Sequence, residues 1–205
     1  YHKDADMILL KGTSRHRAHI DFIFEGPVSG TEFMQQNNLK GAAWGYIFKH
    51  DILGDLHFTP GIYHEDEEFT PRLMLRAHHV YITTSEAYFY RRRSNSIMNN
   101  RKDEHITKRL KDLLNVIIHL RDIAAQLNQE EQKALNRRVS QLTTDYLYNI
   151  IHLTHSRKQL ENAIEALKSL QLYPLPAINY NRKYTLFRKM TETKIGRTIL
   201  IALIK

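Results

Sequence analysis

Trp44-Gly45-Tyr46-Ile47-Phe48-Lys49, His64-Glu65-Asp66-Glu67-Glu68-Phe69 and Tyr90-Arg91-Arg92-Arg93-Ser94-Asn95-Ser96-Ile97 all fall within residues 42–97. Together they supply an aromatic platform, four adjacent carboxylates and three adjacent arginines, the side chains needed to hold a sugar, take up a proton and grip a phosphate. Residues 43–48 are small and aromatic, which suits a strand, and His50-Asp51 makes a polar turn after them. From Glu65 onward Phe69, Leu73 and Ala77 recur at helical spacing. The four acids then fall at the helix N-terminus, where free amides and the helix dipole favour negative charge. Pro71 suits a helix entry. Residues 80–83 and 87–91 read as two short strands with Thr84-Ser85-Glu86 as their turn.

Upstream, Asp6-Met7-Ile8-Leu9-Leu10 is a short apolar run that reads as a buried strand. Residues 19–25 alternate, with Ile20, Phe22 and Phe24 on one face, and Gly26-Pro27 is expected to stop that strand. Ser29-Gly30-Thr31-Glu32 has the form of a capping box, so a short helix starts there, with Gly41 as its expected end.

The chemistry-bearing residues each have an ordinary alternative. Trp44, the only tryptophan, is either packing for the core or a flat wall for a sugar ring. Side chains alternate along a strand, so Arg91 and Arg93 share a face and suit one diphosphate, while pairing with the nearby acids is the plainer role. Crowding four acids raises a carboxylate pKa towards that of a useful base.

Of the 205 residues, 42% are apolar and 10% aromatic, enough to bury a substantial core. Cysteine is absent, which excludes disulfides and thiolate metal sites. The formal charge of +8 is uneven: residues 1–100 carry 11 Lys/Arg against 12 Asp/Glu, and residues 101–205 carry 19 against 10. Basic outer faces of amphipathic helices account for that half without any partner. The first residue is Tyr1 rather than Met and no basic-then-apolar leader follows, so an excised piece of a longer chain is expected.

After Asn99-Asn100 the pattern changes to heptad steps. Ile106, Leu110, Leu113, Ile117, Leu120, Ala124 and Leu127 mark one long helix. Asn128 caps a second, lined by Leu135, Val139, Leu142, Tyr146, Ile150 and Leu153, and Ser156 caps a third, lined by Leu160, Ile164, Leu167 and Leu170. Two prolines within residues 172–176 end this hairpin of three helices. The stripes read as core without chemistry. His78-His79 and His152-x-x-His155 lack a metal-ligand pattern, and no phosphate loop or nucleophile elbow is present. The basic helices show no helix-turn-helix, so no nucleic-acid partner is expected.

Taken together, Trp44-Gly-Tyr-Ile-Phe-Lys49, Phe58-x-x-Gly61, Glu65-Asp66-Glu67-x-Phe69 and Tyr90-Arg91-x-Arg93-x-x-Ser96-Ile97 resemble the C-terminal half of a family 2 glycosyltransferase catalytic domain with the GT-A fold. The resemblance covers about the first hundred residues. It implies inverting sugar transfer from a nucleotide-diphosphate donor to a glycan or lipid-linked acceptor, in bacterial surface polysaccharide or lipopolysaccharide synthesis. Asp66 matches the catalytic base, Glu65 and Trp44 fall on the acceptor side, and Arg91 and Arg93 face the diphosphate. Glu67 and Glu68 are expected to face solvent. The family's Asp-x-Asp motif holds a divalent metal (Mn or Mg) within a nucleotide-binding half that precedes the matched region. Asp4-Ala5-Asp6 reads instead as the charged lead-in to the following strand, so neither metal binding nor independent activity is expected of these residues alone.

The expected fold class is therefore α/β, an incomplete GT-A-like catalytic domain over residues 1–100, followed by an all-α helical extension over residues 101–205. The expected location is cytoplasmic. The basic tail of residues 182–205 either meets the inner face of the membrane or packs its apolar side on the hairpin. The rival reading is a non-catalytic helical module that binds a protein partner or an anionic membrane surface.

Overall fold

A computed structural model describes residues 4–15, 19–20, 23–91, 101–178 and 180–204. The strands are β1 (Met7–Thr13), β2 (Phe24–Val28), β3 (Tyr46–Phe48) and β4 (Val80–Phe89), and they form one mixed sheet in the order β2-β4-β1-β3. β1 runs parallel to β4 and antiparallel to β3, and β2 is antiparallel to β4. The apolar run at the start of β1 forms the centre of the sheet, where Met7 pairs with Val80 and both are fully buried.

Two strand expectations change. Gly26-Pro27 lies inside β2 rather than ending it. β2 is an edge strand, where a proline interrupts no second ladder, and the pairing with β4 shifts register between Glu25 and Val28 to accommodate the pair. Thr84-Ser85-Glu86 is not a turn either. β4 runs through it as one ten-residue strand, and the surplus residues are absorbed as register shifts against β1 between Leu9 and Gly12.

Helix α1 (Gly30–Gln36) starts where the capping box places it, with the Ser29 hydroxyl accepting from the Glu32 amide. It ends at Asn37, earlier than Gly41, because the Asn37 amide and side chain both donate to the Phe33 carbonyl and close the last turn. α2 (Glu65–Leu75) packs on α1 at Gly30, where any Cβ would fall 1.7 Å from the Met74 carbonyl oxygen. Pro71 occupies the body of α2 rather than its entry, so no i+4 amide reaches the Glu67 carbonyl. Phe33, Met34, Phe69, Leu73 and Met74 from these helices close one core against Met7 and Val80 of the sheet.

Helices α3 (Asp103–Ala124), α4 (Gln129–Thr154) and α5 (Arg157–Ser169) follow with the expected caps, Asn128 and Ser156 each accepting from amides of the first turn. Their apolar stripes make a second core, through Leu113, Ile117, Leu120, Leu135, Leu142, Ile164 and Leu167. The cores meet rather than stand apart: Ala134 of α4 belongs to the sheet-side core, and Leu75 of α2 packs against both. α6 (Arg182–Thr191) and α7 (Lys194–Leu203) fold back on the bundle through buried Phe187 and Leu200. Among the described residues, no helix is long and apolar enough to cross a membrane.

Candidate functional site

The first turn of α2 carries Glu65, Asp66, Glu67 and Glu68. At about 100° per residue, four consecutive acids sweep all round the helix and must meet different surroundings. Glu65 is exposed. Asp66 is partly buried and lines a cavity of about 510 Å³ with Tyr63, His64, Glu65 and Glu67 on one side and Arg109, Asp145, Tyr148 and Asn149 on the other. Glu67 forms a close ion pair with Arg138 of α4, whose guanidinium also donates to the Leu39 carbonyl at 2.7 Å.

Glu68 is turned inward and is 2% exposed, which overturns its expected place in solvent. It accepts from Thr59 Oγ1 at 2.7 Å and Arg72 Nη1 at 3.2 Å, and His119 Nδ1 lies 2.7 Å away. Glu67 is likewise held in its ion pair rather than left to solvent.

α3 fixes the approach to this turn. Asp112 accepts from the Tyr63 amide at 2.9 Å, Lys108 donates to the Gly61 carbonyl at 2.9 Å, and the Tyr63 hydroxyl meets His105 Nδ1 at 3.1 Å. His64 then enters α2 from the left-handed region, at φ 66°. A non-glycine residue there is strained by roughly 1–2 kcal/mol, and such strain concentrates at functional sites.

Burial removes water from the Asp66 carboxylate, the charges of Glu67 and Glu65 crowd it, and the helix-start amides offset this only in part. Its pKa rises to about 6. Across the cavity, burial also pushes Asp145 up, although Tyr184 of α6 donates to it at 2.7 Å. Burial lowers the pKa of His64, which favours the neutral ring. An acid raised to about 6 and facing a cavity that also presents phenol, amide and guanidinium groups has the properties of a general base.

Trp44 lies elsewhere. It lines a separate cavity of about 350 Å³ with Gly12, Phe33, Asn38 and Tyr46. Its ring stacks on Tyr88 at 5.0 Å and 18° and tilts against Tyr90 at 5.8 Å, over Gly12, where a Cβ would fall 2.5 Å from the ring. One part of the ring thus packs on the sheet while the residue stays 37% exposed. Tyr46 lines the Trp44 cavity; its hydroxyl meets Thr70 Oγ1 at 3.0 Å, and burial together with the Asp66 charge raises its pKa against the effect of that bond. Arg91 is exposed just beyond Tyr90, and Arg93 lies outside the described residues.

Asp4 accepts from the Tyr81 hydroxyl at 3.0 Å, and Asp6 accepts from the His78 and His79 amides at 2.9 Å each. Burial pushes the Asp6 carboxyl up, but those amides and Lys49 outweigh it and hold it below its ordinary value. Both carboxylates are thus engaged in holding β1 to β4, and among the described residues no group of three side chains fits a metal ion.

The far wall of the Asp66 cavity was not anticipated. Arg109, Asp145 and Asn149 in that wall, and Arg138 that pairs with Glu67, sit on helices whose stripes read as plain core. A signal was present: Ile106-Arg109-Leu113 and Leu135-Arg138-Leu142-Asp145-Asn149 step by three and four, so these polar residues share an inward seam with apolar ones. Compared with protein-family models, curated proteins and solved structures, the chain matches none.

Proposed function

We propose that this chain provides the acceptor side of an inverting glycosyltransferase that uses a nucleotide-diphosphate sugar, with Asp66 as the base. The observation that carries the reading is the partly buried Asp66 carboxylate, raised to about 6 and facing a cavity that holds few apolar side chains. In the reaction, an acceptor hydroxyl oxygen attacks the anomeric carbon. The bond from that carbon to the diphosphate oxygen breaks with its electron pair leaving on the diphosphate, and the hydroxyl proton passes to Asp66. Inversion follows, because attack and departure occupy opposite faces of the sugar.

Glu65, exposed at the cavity edge, is placed to orient other acceptor hydroxyls, and Tyr148 and Asn149 offer hydrogen bonds from the opposite wall. Arg138 keeps Glu67 in place beside the base, so the helical half contributes to the catalytic environment. Arg91 and Arg93 are proposed for the diphosphate, as the resemblance implies. The divalent ion of that family finds no ligand group among the described residues, Asp4 and Asp6 being engaged elsewhere.

The test is transfer by the full-length natural protein, read as release of nucleoside diphosphate. Asp66→Asn keeps the shape and removes the base, so turnover falls by about a hundredfold to ten-thousandfold while donor affinity holds. Near-normal transfer by that variant would overturn the assignment.

A further inference from the structure

The apolar residues of the tail divide between two environments. Phe187 and Leu200 are buried in the bundle, and Arg197 ties α7 to α5 through Glu161 at 3.2 Å. Ile195, Ile199 and Leu203 point the other way. They are 76%, 44% and 71% exposed, and steps of four residues align them as a stripe about 12 Å long at 1.5 Å per residue. On α6, which packs against α7, Leu186 is 61% exposed. Docking on the hairpin is thus real, yet it leaves this second apolar face uncovered.

Basic side chains accompany that face. Arg182 and Lys189 line one surface hollow with Leu186, and Lys194 adjoins Ile195; all three are exposed, and among the described residues no carboxylate pairs with them. Leucine and isoleucine accompanied by unpaired lysine and arginine match a layer whose headgroups are anionic and whose interior is hydrocarbon. A protein groove offers apolar contact without needing such a surplus of one charge.

We propose that the outward face of α6 and α7 docks on an anionic lipid surface, with Ile195, Ile199 and Leu203 entering the headgroup boundary and the basic residues meeting lipid phosphates. This does not rest on the transferase reading, and either can fail alone. The docked helix is also joined to the Asp66 cavity, because Tyr184 of α6 donates to Asp145 in its wall.

The test is flotation of the 205-residue chain with vesicles of phosphatidylcholine alone, or with about one-third phosphatidylglycerol. The expected result is recovery with the anionic vesicles only, weakened by salt. Arg182→Gln, Lys189→Gln and Lys194→Gln combined should lower the partition coefficient by on the order of a hundredfold, at about fivefold per charge. Ile195→Ser, Ile199→Ser and Leu203→Ser combined should abolish recovery with the thermal melt preserved; if that variant does not fold, the charge variant carries the test. Equal recovery from both vesicle types, absence of recovery, or unchanged recovery of both triple variants would overturn the proposal. So would a dimer in sedimentation that the serine variant converts to monomer, since a second copy would then cover the stripe.

Discussion

Asp66→Asn should make this protein more stable while it disables the proposed chemistry, and the gain should depend on pH. The carboxyl moves from 3.8 to about 6 in the folded chain, so ionising it in place opposes folding. At about 1.4 kcal/mol for each tenfold change in proton affinity, the ceiling is about 3 kcal/mol. Asp66 is only partly buried, so screening reduces this, and loss of a charge from a helix start removes a further fraction of a kcal/mol. A net gain of about 1–2 kcal/mol remains, or roughly 3–6 °C in melting temperature for a chain of this size.

The sign follows from the raised pKa. Below about pH 3 the group is protonated in folded and unfolded chains alike, and aspartate and asparagine should be equivalent. As the pH climbs from about 3 towards 6, the unfolded chain ionises first and the penalty on the native state develops; above about 6 it is nearly complete. Urea unfolding of both proteins near pH 7 and near pH 3 therefore gives a difference that opens with rising pH. An asparagine variant no more stable near neutrality, or one with the same gain at both pH values, would show that the carboxylate is not crowded as described.

Turnover of the full-length protein should rise about tenfold per pH unit up to about 6 and level off above it, as kcat/KM profiles would show, because only ionised Asp66 accepts the proton. Arg138→Met should cost about 3–5 kcal/mol in urea unfolding, since it strands Glu67 and the Leu39 carbonyl that the guanidinium now satisfies. Gly30→Ala forces a methyl group against the Met74 backbone and should cost about 1–3 kcal/mol, with loss of α1 packing visible by amide exchange. Calorimetry on the 205-residue chain should find only weak, salt-sensitive binding of a nucleoside diphosphate; tight metal-dependent binding would show that Asp4 and Asp6 had been misassigned.

Helices and caps were legible because their signals are local. Ser29, Asn128 and Ser156 each cap the helix anticipated from its spacing, and the heptad steps through Ile117 and Leu142 are buried as drawn. The sheet was less legible, because strand ends depend on the partner. Gly26-Pro27 stops a central strand but passes at an edge, and Thr84-Ser85-Glu86 becomes a bulge only because β1 runs alongside it. The crowding of Asp66 by Glu65 and Glu67 was legible from adjacent residues, whereas Glu68 was misjudged, because His119, which lies against it, comes from a distant part of the chain.

The same distinction shows why the helices matter to the candidate site. A carboxylate at an open helix start is well solvated, and like charges beside it are screened over a few ångströms of water. Here α3 and α4 close over the first turn of α2, with Leu113 and Leu142 beside Asp66 in the cavity wall. Arg138, itself buried, pairs with Glu67 without reaching Asp66 as a hydrogen-bond partner. Excluding water is what lets crowding by Glu65 and Glu67 raise the Asp66 pKa instead of dissipating. A variant that lets water into the α4 wall beside Asp66, such as Leu142→Ala, should therefore return the Asp66 titration towards its ordinary 3.8, a shift that carboxyl-carbon NMR can follow.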